Sequence, residues 1–178
     1  THATNRFAVI PTAERLASDR ILTCKGVTIA FLDSGFYPHS DLVLPGNRIV
    51  AFHDVSAPHS TLTASHRAEA WDWHGTQTSV VAAGNGFLSD GHYPGLASQA
   101  SVVLVKVSHR GRISDENIVR GFEWVIANKE RFRIDVVSVS LGGDIDLSYH
   151  ESAVDQAAER AVRAGIVVIV AAGNAGCS

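Results

Sequence analysis
Four apolar runs constrain this chain more than any other feature of its sequence. They are Val27-Thr28-Ile29-Ala30-Phe31-Leu32, Val102–Val107, Val136-Val137-Ser138-Val139-Ser140 and Ile166–Val170. Each is nearly continuous rather than alternating, as expected for strands buried on both faces, and such strands belong to parallel sheets covered by helices. The intervening segments supply those helices. Ser114 is placed to cap one, with Asp115 and Glu116 in the first turn, where the helix dipole favours anions. Ile118, Phe122, Val125 and Ile126 follow on one face. A second helix is expected from about Ser148 to Ala164, its buried side marked by Ala153, Val154, Ala157, Ala158, Ala161 and Val162, with Gly165 at its C-terminus. Right-handed crossovers then give a doubly wound, mainly parallel α/β sheet.

The remaining segments are less regular. Thr1–Thr23 lacks periodicity and reads as an arm. Residues 36 to 70 read as loops with a short strand at Arg48–Phe52. Thr76–Ala83 has the small and apolar residues of a tightly packed helix. Gly84–Gly95 is a loop, with turn-forming pairs at Asn85-Gly86 and Asp90-Gly91. No repeat or linker divides the chain, and 178 residues fit one domain of ordinary size, about 100–150 residues.

Composition excludes several functions. A net charge of −3 offers no basic face to nucleic acid or to an anionic membrane. No apolar stretch reaches the roughly 20 residues of a membrane span, and no signal peptide is visible. A start at Thr1 implies an upstream segment removed or left out. Cys24 and Cys177 are too few for a disulfide framework. The nine histidines show no metal-binding spacing.

In doubly wound sheets, ligands gather beyond the carboxyl ends of the strands. Those ends carry Asp33-Ser34-Gly35, Ser140-Leu141-Gly142-Gly143 and Ala172-Gly173-Asn174, and His74-Gly75-Thr76 opens the small-residue helix. Any one of these could be a simple turn or cap. Together they bring a carboxylate, an imidazole and an amide to one rim. A carboxylate fixes the tautomer of an imidazole and stabilises its protonated form. An amide can donate to a developing oxyanion. These are the parts of acyl transfer, lacking a nucleophile.

At this point the sequence resembles the subtilisin-like serine proteases, the subtilase family. The resemblance rests on Val27–Gly35 continued by Pro38-His39-Ser40-Asp41-Leu42, on His74-Gly75-Thr76, on Tyr93-Pro94-Gly95-Leu96-Ala97 with Val102–Val107, on Val137–Gly143 and on Val168–Asn174. It covers about residues 24 to 178. It implies that Asp33 orients the imidazole, that His74 is general base and then general acid, and that Asn174 donates to the oxyanion. Ser140, Leu141 and Gly142 would pair with an extended peptide substrate, and Ala171, Ala172 and Gly173 would line the opposite wall of the pocket. It also implies secretion.

The sequence departs from the family pattern in places. Trp73 stands before the histidine, where glycine is common, and Gln77-Thr78-Ser79-Val80 follows the box in place of His-Val-Ala-Gly. Asp41 matches a carboxylate that binds calcium in some members, but Gly84–Gly95 does not resemble the longer calcium loop, so no metal or other cofactor is assigned. The Gly-Thr-Ser box of the family nucleophile is absent. The chain is therefore expected to be the N-terminal part of a peptidase domain, residues 1–23 an arm and 24–178 the sheet core. It is expected to be inactive alone and to need the C-terminal remainder or a complementary chain as partner. A rival reading is a peptide-binding module without catalysis, but such a module needs none of Asp33, His74 and Asn174. A nucleotide-binding domain is excluded by the lack of any glycine-rich phosphate loop after a strand.

Overall fold
The computed structural model describes residues 10–19, 21–63, 65–142 and 148–174. In chain order its elements are α1 (Thr12–Arg15), β1 (Thr28–Asp33), α2 (Ser40–Val43), β2 (Ile49–Asp54), α3 (Asp72–Ala83), β3 (Ser101–Lys106), β4 (Ser108–His109) and β5 (Arg112–Ile113). There follow α4 (Asp115–Ala127), α5 (Lys129–Phe132), β6 (Ile134–Val139), α6 (Ala153–Arg163) and β7 (Val167–Val170). The expected positions Gly143 and Cys177 and the first nine residues of the arm lie outside the described residues.

The apolar runs pair in one parallel sheet, ordered β2-β3-β1-β6-β7. Its two faces use alternate residues, as the pleat requires. Ala30, Leu32, Val103, Val105 and Val137 pack with Ile118, Phe122 and Val125 of α4 and with Ala157 and Ala161 of α6. Phe31, Val102 and Leu104 face the other way, onto Leu42 of α2 and Ala83 of α3. Helix α4 lies very close to the sheet at Gly121, where a Cβ would stand 2.8 Å from Val107 Cγ1.

The connections fix where a ligand can sit. After β1 the chain turns to the α2–α3 face, and after β6 it turns to the α4–α6 face. Because β1 and β6 are neighbours, a crevice opens between their carboxyl ends, the usual position of a site in a doubly wound fold. Asp33 ends β1, and Ser140 follows β6 directly.

Several element boundaries differ from expectation. Helix α3 begins at Asp72, a turn before Thr76, so Trp71-Asp72-Trp73 leads directly into the helix. Asp72 lies in the first turn, where the dipole favours its charge, and Thr76 Oγ1 donates back to Asp72 O at 2.6 Å. Helix α6 starts at Ala153 rather than Ser148, because Ser152 accepts from Asp155 N–H and sets the N-cap. Ala153 and Val162 are exposed, since the buried stripe of α6 narrows to Ala157 and Ala161. Strand β6 runs from Ile134 to Val139, one residue short of Ser140. The arm holds one helical turn, α1, entered through Pro11 with φ near the value a helix needs. A hairpin joins β4 to β5 through Arg110 (φ 50°) and Gly111 (φ 77°), the positive-φ pair of a tight turn.

Candidate active site
The site is assembled by a close approach between the end of β1 and the start of α3. Two glycines permit it. A Cβ on Gly75 would stand 2.8 Å from both Asp33 Cβ and Phe36 Cε1, and a Cβ on Gly35 would stand 3.1 Å from Trp71 O. With neither side chain present, the first turn of α3 lies directly over the strand end. His74 Nδ1 is then 2.7 Å from Asp33 Oδ1.

Asp33 is 1% exposed, and its carboxylate is fully engaged. Oδ1 also accepts from Ser34 N–H at 2.7 Å, and Oδ2 accepts from Thr78 Oγ1 at 3.0 Å. Ser34 is itself held, its hydroxyl donating to Trp71 O and its carbonyl accepting from Ser108 Oγ. Every partner of the carboxylate is a donor, so the proton shared with His74 belongs on Nδ1. That leaves Nε2 as the acceptor. The His74 side chain is 38% exposed, and it lines a cleft of about 820 Å³ together with Ser138 and Ser140. The arrangement can take a proton at Nε2 and hold the resulting cation against a buried carboxylate.

The other expected residues take their places on the same rim. Leu141 is half-buried and Gly142 exposed. Ala171 N–H donates to Val139 O, which extends the β6–β7 pairing by one residue. Ala171, Ala172, Gly173 and Asn174 are exposed beyond β7, and Gly173 adopts a positive φ of 84°. Among the described residues no hydrogen bond joins Asn174 to Asp33 or His74. The structure thus brings His74 and Ser140 to one cleft, with Asp33 buried behind His74, and leaves Asn174 at the neighbouring strand end. Two contributors went unread in the sequence. Thr78 lies four residues after His74, a spacing that puts both on one helix face and could have revealed it. The α1 residues lining the cleft carry no comparable signal.

No group of three or more His, Cys, Asp or Glu side chains converges on a metal position among the described residues. Asp41 is buried and accepts from Leu88 N–H. Its own carbonyl and those of Ala83 and Ala100 accept from the Arg48 guanidinium at 2.6–2.9 Å. A side-chain cation therefore already uses these carbonyls.

Comparison with known proteins identifies relatives of this chain. The chain is 39% identical over 174 residues to the serine protease AprX of Bacillus subtilis (strain 168), covering 92% of this chain and 36% of the relative. It is 32% identical over 158 residues to the minor extracellular protease Epr of the same organism, covering 87% of this chain and 21% of that one. The chain thus spans only about a fifth to a third of these relatives. The Clostridium perfringens CspB protease shares the fold with a TM-score of 0.74 at 21% identity, over 90% of this chain and 39% of that structure. No helix among the described residues is long and apolar enough to cross a membrane. Residues 24–177 match the subtilase family, and the chain belongs to that family of subtilisin-like serine proteases.

Proposed function
We propose that this chain supplies the Asp and His of a serine endopeptidase whose substrate is a polypeptide. The observation that carries the reading is the 2.7 Å bond between His74 and a buried Asp33, with the imidazole opening onto the cleft beside Ser140. In the proposed cycle His74 Nε2 takes the proton of a serine hydroxyl as it attacks the scissile carbonyl. It then returns that proton to the leaving amine, while Asp33 holds the tautomer and the charge. Asn174 donates to the oxyanion. Ser140, Leu141 and Gly142 pair with the extended substrate, and Ala171, Ala172 and Gly173 form the facing wall.

The nucleophile is proposed to lie outside these 178 residues. Among the described residues Asp33 is the hydrogen-bond partner of His74, and the nearby Ser34 and Ser108 are committed to structural bonds. The remainder of the domain, or a complementary chain, is the proposed cover for β7, where Val167, Ile169 and Val170 are each more than half exposed. Residues 1–23 act as an arm to the 24–178 core. Secretion belongs to the same proposal and rests on the family resemblance and the likeness to Epr.

The test is labelling with a fluorophosphonate probe alongside peptide hydrolysis. The complete protein is expected to label and turn over, and the 178-residue chain alone to do neither. Labelling of a serine within the isolated chain would refute the assignment. In the complete protein Asn174→Leu should lower kcat by about 10²–10³ with little change in KM, because the contact forms in the transition state.

A further inference from the structure
The sequence departs from the family box just after His74, and the departure brings two hydroxyls close to the Asp33 carboxylate. Thr78 and Ser79 stand where the family pattern has valine and alanine. Thr78 Oγ1 lies 3.0 Å from Asp33 Oδ2 and 3.1 Å from Gly75 O. It carries one proton, and the two acceptors compete for it. Ser79 decides the contest. Its fully buried hydroxyl donates to Gly75 O at 2.7 Å, a shorter bond than its 3.0 Å to Thr76 O, so the Gly75 carbonyl is already served. Oδ2, by contrast, is a charged oxygen on a residue 1% exposed, and Thr78 is its hydrogen-bond partner among the described residues. A charged acceptor makes the stronger bond and is the costlier to leave bare. The Thr78 proton therefore belongs to Asp33.

We propose that Thr78 is a positioning residue for the peptidase reaction, fixing the plane of the Asp33 carboxylate so that Oδ1 faces His74 Nδ1. The inference rests on the peptidase reading above. The χ2 torsion of an aspartate is soft, so its carboxylate takes the plane that its partners impose. Ser34 N–H and His74 Nδ1 both hold Oδ1, each at 2.7 Å. Thr78 holds the other oxygen. Its β-branched side chain has few rotamers in a helix, which makes it a firm anchor. His74 and Thr78 lie four residues apart on one face of α3, so a single helix grips both oxygens. Ser79 acts through Thr78 by keeping Gly75 O occupied. The benefit falls on the transition state. When His74 takes the serine proton it becomes a cation, and a carboxylate turned out of plane would hold that cation less well. Substrate binding does not draw on this bond, so its loss should appear in kcat rather than in KM.

The experiment uses the complete protein, with peptide hydrolysis and the low-field proton resonance of His74 Nδ1–H, identified by its loss in His74→Ala. Thr78→Val keeps the shape of the side chain and removes the donor. It should lower kcat by about tenfold or more, keep KM within about twofold, and displace the resonance. Thr78→Ser retains the hydroxyl and should hold kcat within about threefold of native. Ser79→Ala should lower kcat by about threefold in the native background and not at all in the Thr78→Val background, where there is no proton left to protect. Circular dichroism checks each fold. A native kcat or an undisturbed resonance in Thr78→Val would overturn the proposal. So would equal losses in the two Thr78 variants, or a Ser79→Ala effect that persists without the threonine. If Thr78→Val does not fold, Ser79→Ala decides: a lowered kcat with KM kept upholds the role, and an unchanged kcat refutes it. If the native complete protein hydrolyses no peptide, the peptidase reading fails separately. The resonance then decides the positioning, which stands if Thr78→Val displaces it and falls if it does not.

Discussion

Helix α3 carries two carboxylate–imidazole pairs at its beginning, and they differ in what they can do. Asp33 and His74 meet at 2.7 Å, and Asp72 and His66 meet at 2.9 Å. In each the carboxylate is buried, at 1% and 3% exposure, and the imidazole is partly open. The chemistry of the pairs is the same, but the surroundings are not. His74 spends Nδ1 on its carboxylate and lines the cleft by Ser140. His66 spends Nε2, comes from the loop before α3, and lies beside the Tyr37 ring at 6.4 Å. Asp72 also accepts Glu69 N–H at 2.9 Å, so the second pair fastens a loop to the helix. An Asp–His bond is therefore no evidence of catalysis until its position in the fold is known.

Substitutions should separate the two pairs, and the largest effect belongs to the first. In the complete protein His74→Ala should lower kcat by about 10⁴-fold or more with the fold intact. His66→Ala should leave kcat within about twofold. Equal losses of turnover from both variants, with native circular dichroism, would erase the distinction. Gly75→Ala comes next, because its Cβ would press on Asp33 and Phe36. Parting helix from strand by an ångström should cost about 10² in kcat/KM. Unchanged turnover, measured beside a normal thermal midpoint, would show that the close approach is not needed.

His66→Ala has its own measurable effect, on stability. It leaves the buried Asp72 carboxylate with the Glu69 N–H but without its side-chain partner, which should cost about 1–3 kcal/mol in denaturant unfolding. The smallest effect comes from a third imidazole, His53 of β2, stacked on Trp124 at 4.7 Å. Burial pushes its pKa below the ordinary 6.5, Arg120 adds to this, and Asp54 opposes it. The folded state thus binds the proton less readily than the unfolded chain. Stability from this group is complete above about pH 6.5 and falls as the pH drops toward the folded value. His53→Gln should flatten that slope in unfolding curves taken between pH 7 and pH 5. Asp54 contributes at lower pH. Burial raises its pKa, but hydrogen bonds from Lys106 and Ser56 outweigh this and hold it low, so its contribution is lost only in stronger acid.

The sequence alone determined the parallel sheet, because an apolar run without alternation can be satisfied only by burial on both faces. It also determined the cap of α4 at Ser114 and the positive φ of Gly165, both local matters of side chain and backbone. The boxes carrying Asp33, His74, Ser140 and Asn174 were readable as strand and helix ends by the same local logic. It could not say which aspartate would meet which histidine. Asp33 and His74 are 41 residues apart, whereas His66 and Asp72 are 6 apart. Only the closure of α3 onto β1, through Gly35 and Gly75, made the distant pair the one that faces the cleft. Nor could the sequence place α1 beside that cleft. Strand β7 is as β-branched as the buried centre, yet among the described residues it pairs only with β6, and Val167 and Ile169 stay more than half open to solvent. Periodicity reports what a segment prefers. Burial and pairing depend on which neighbour arrives, and that was set by tertiary packing.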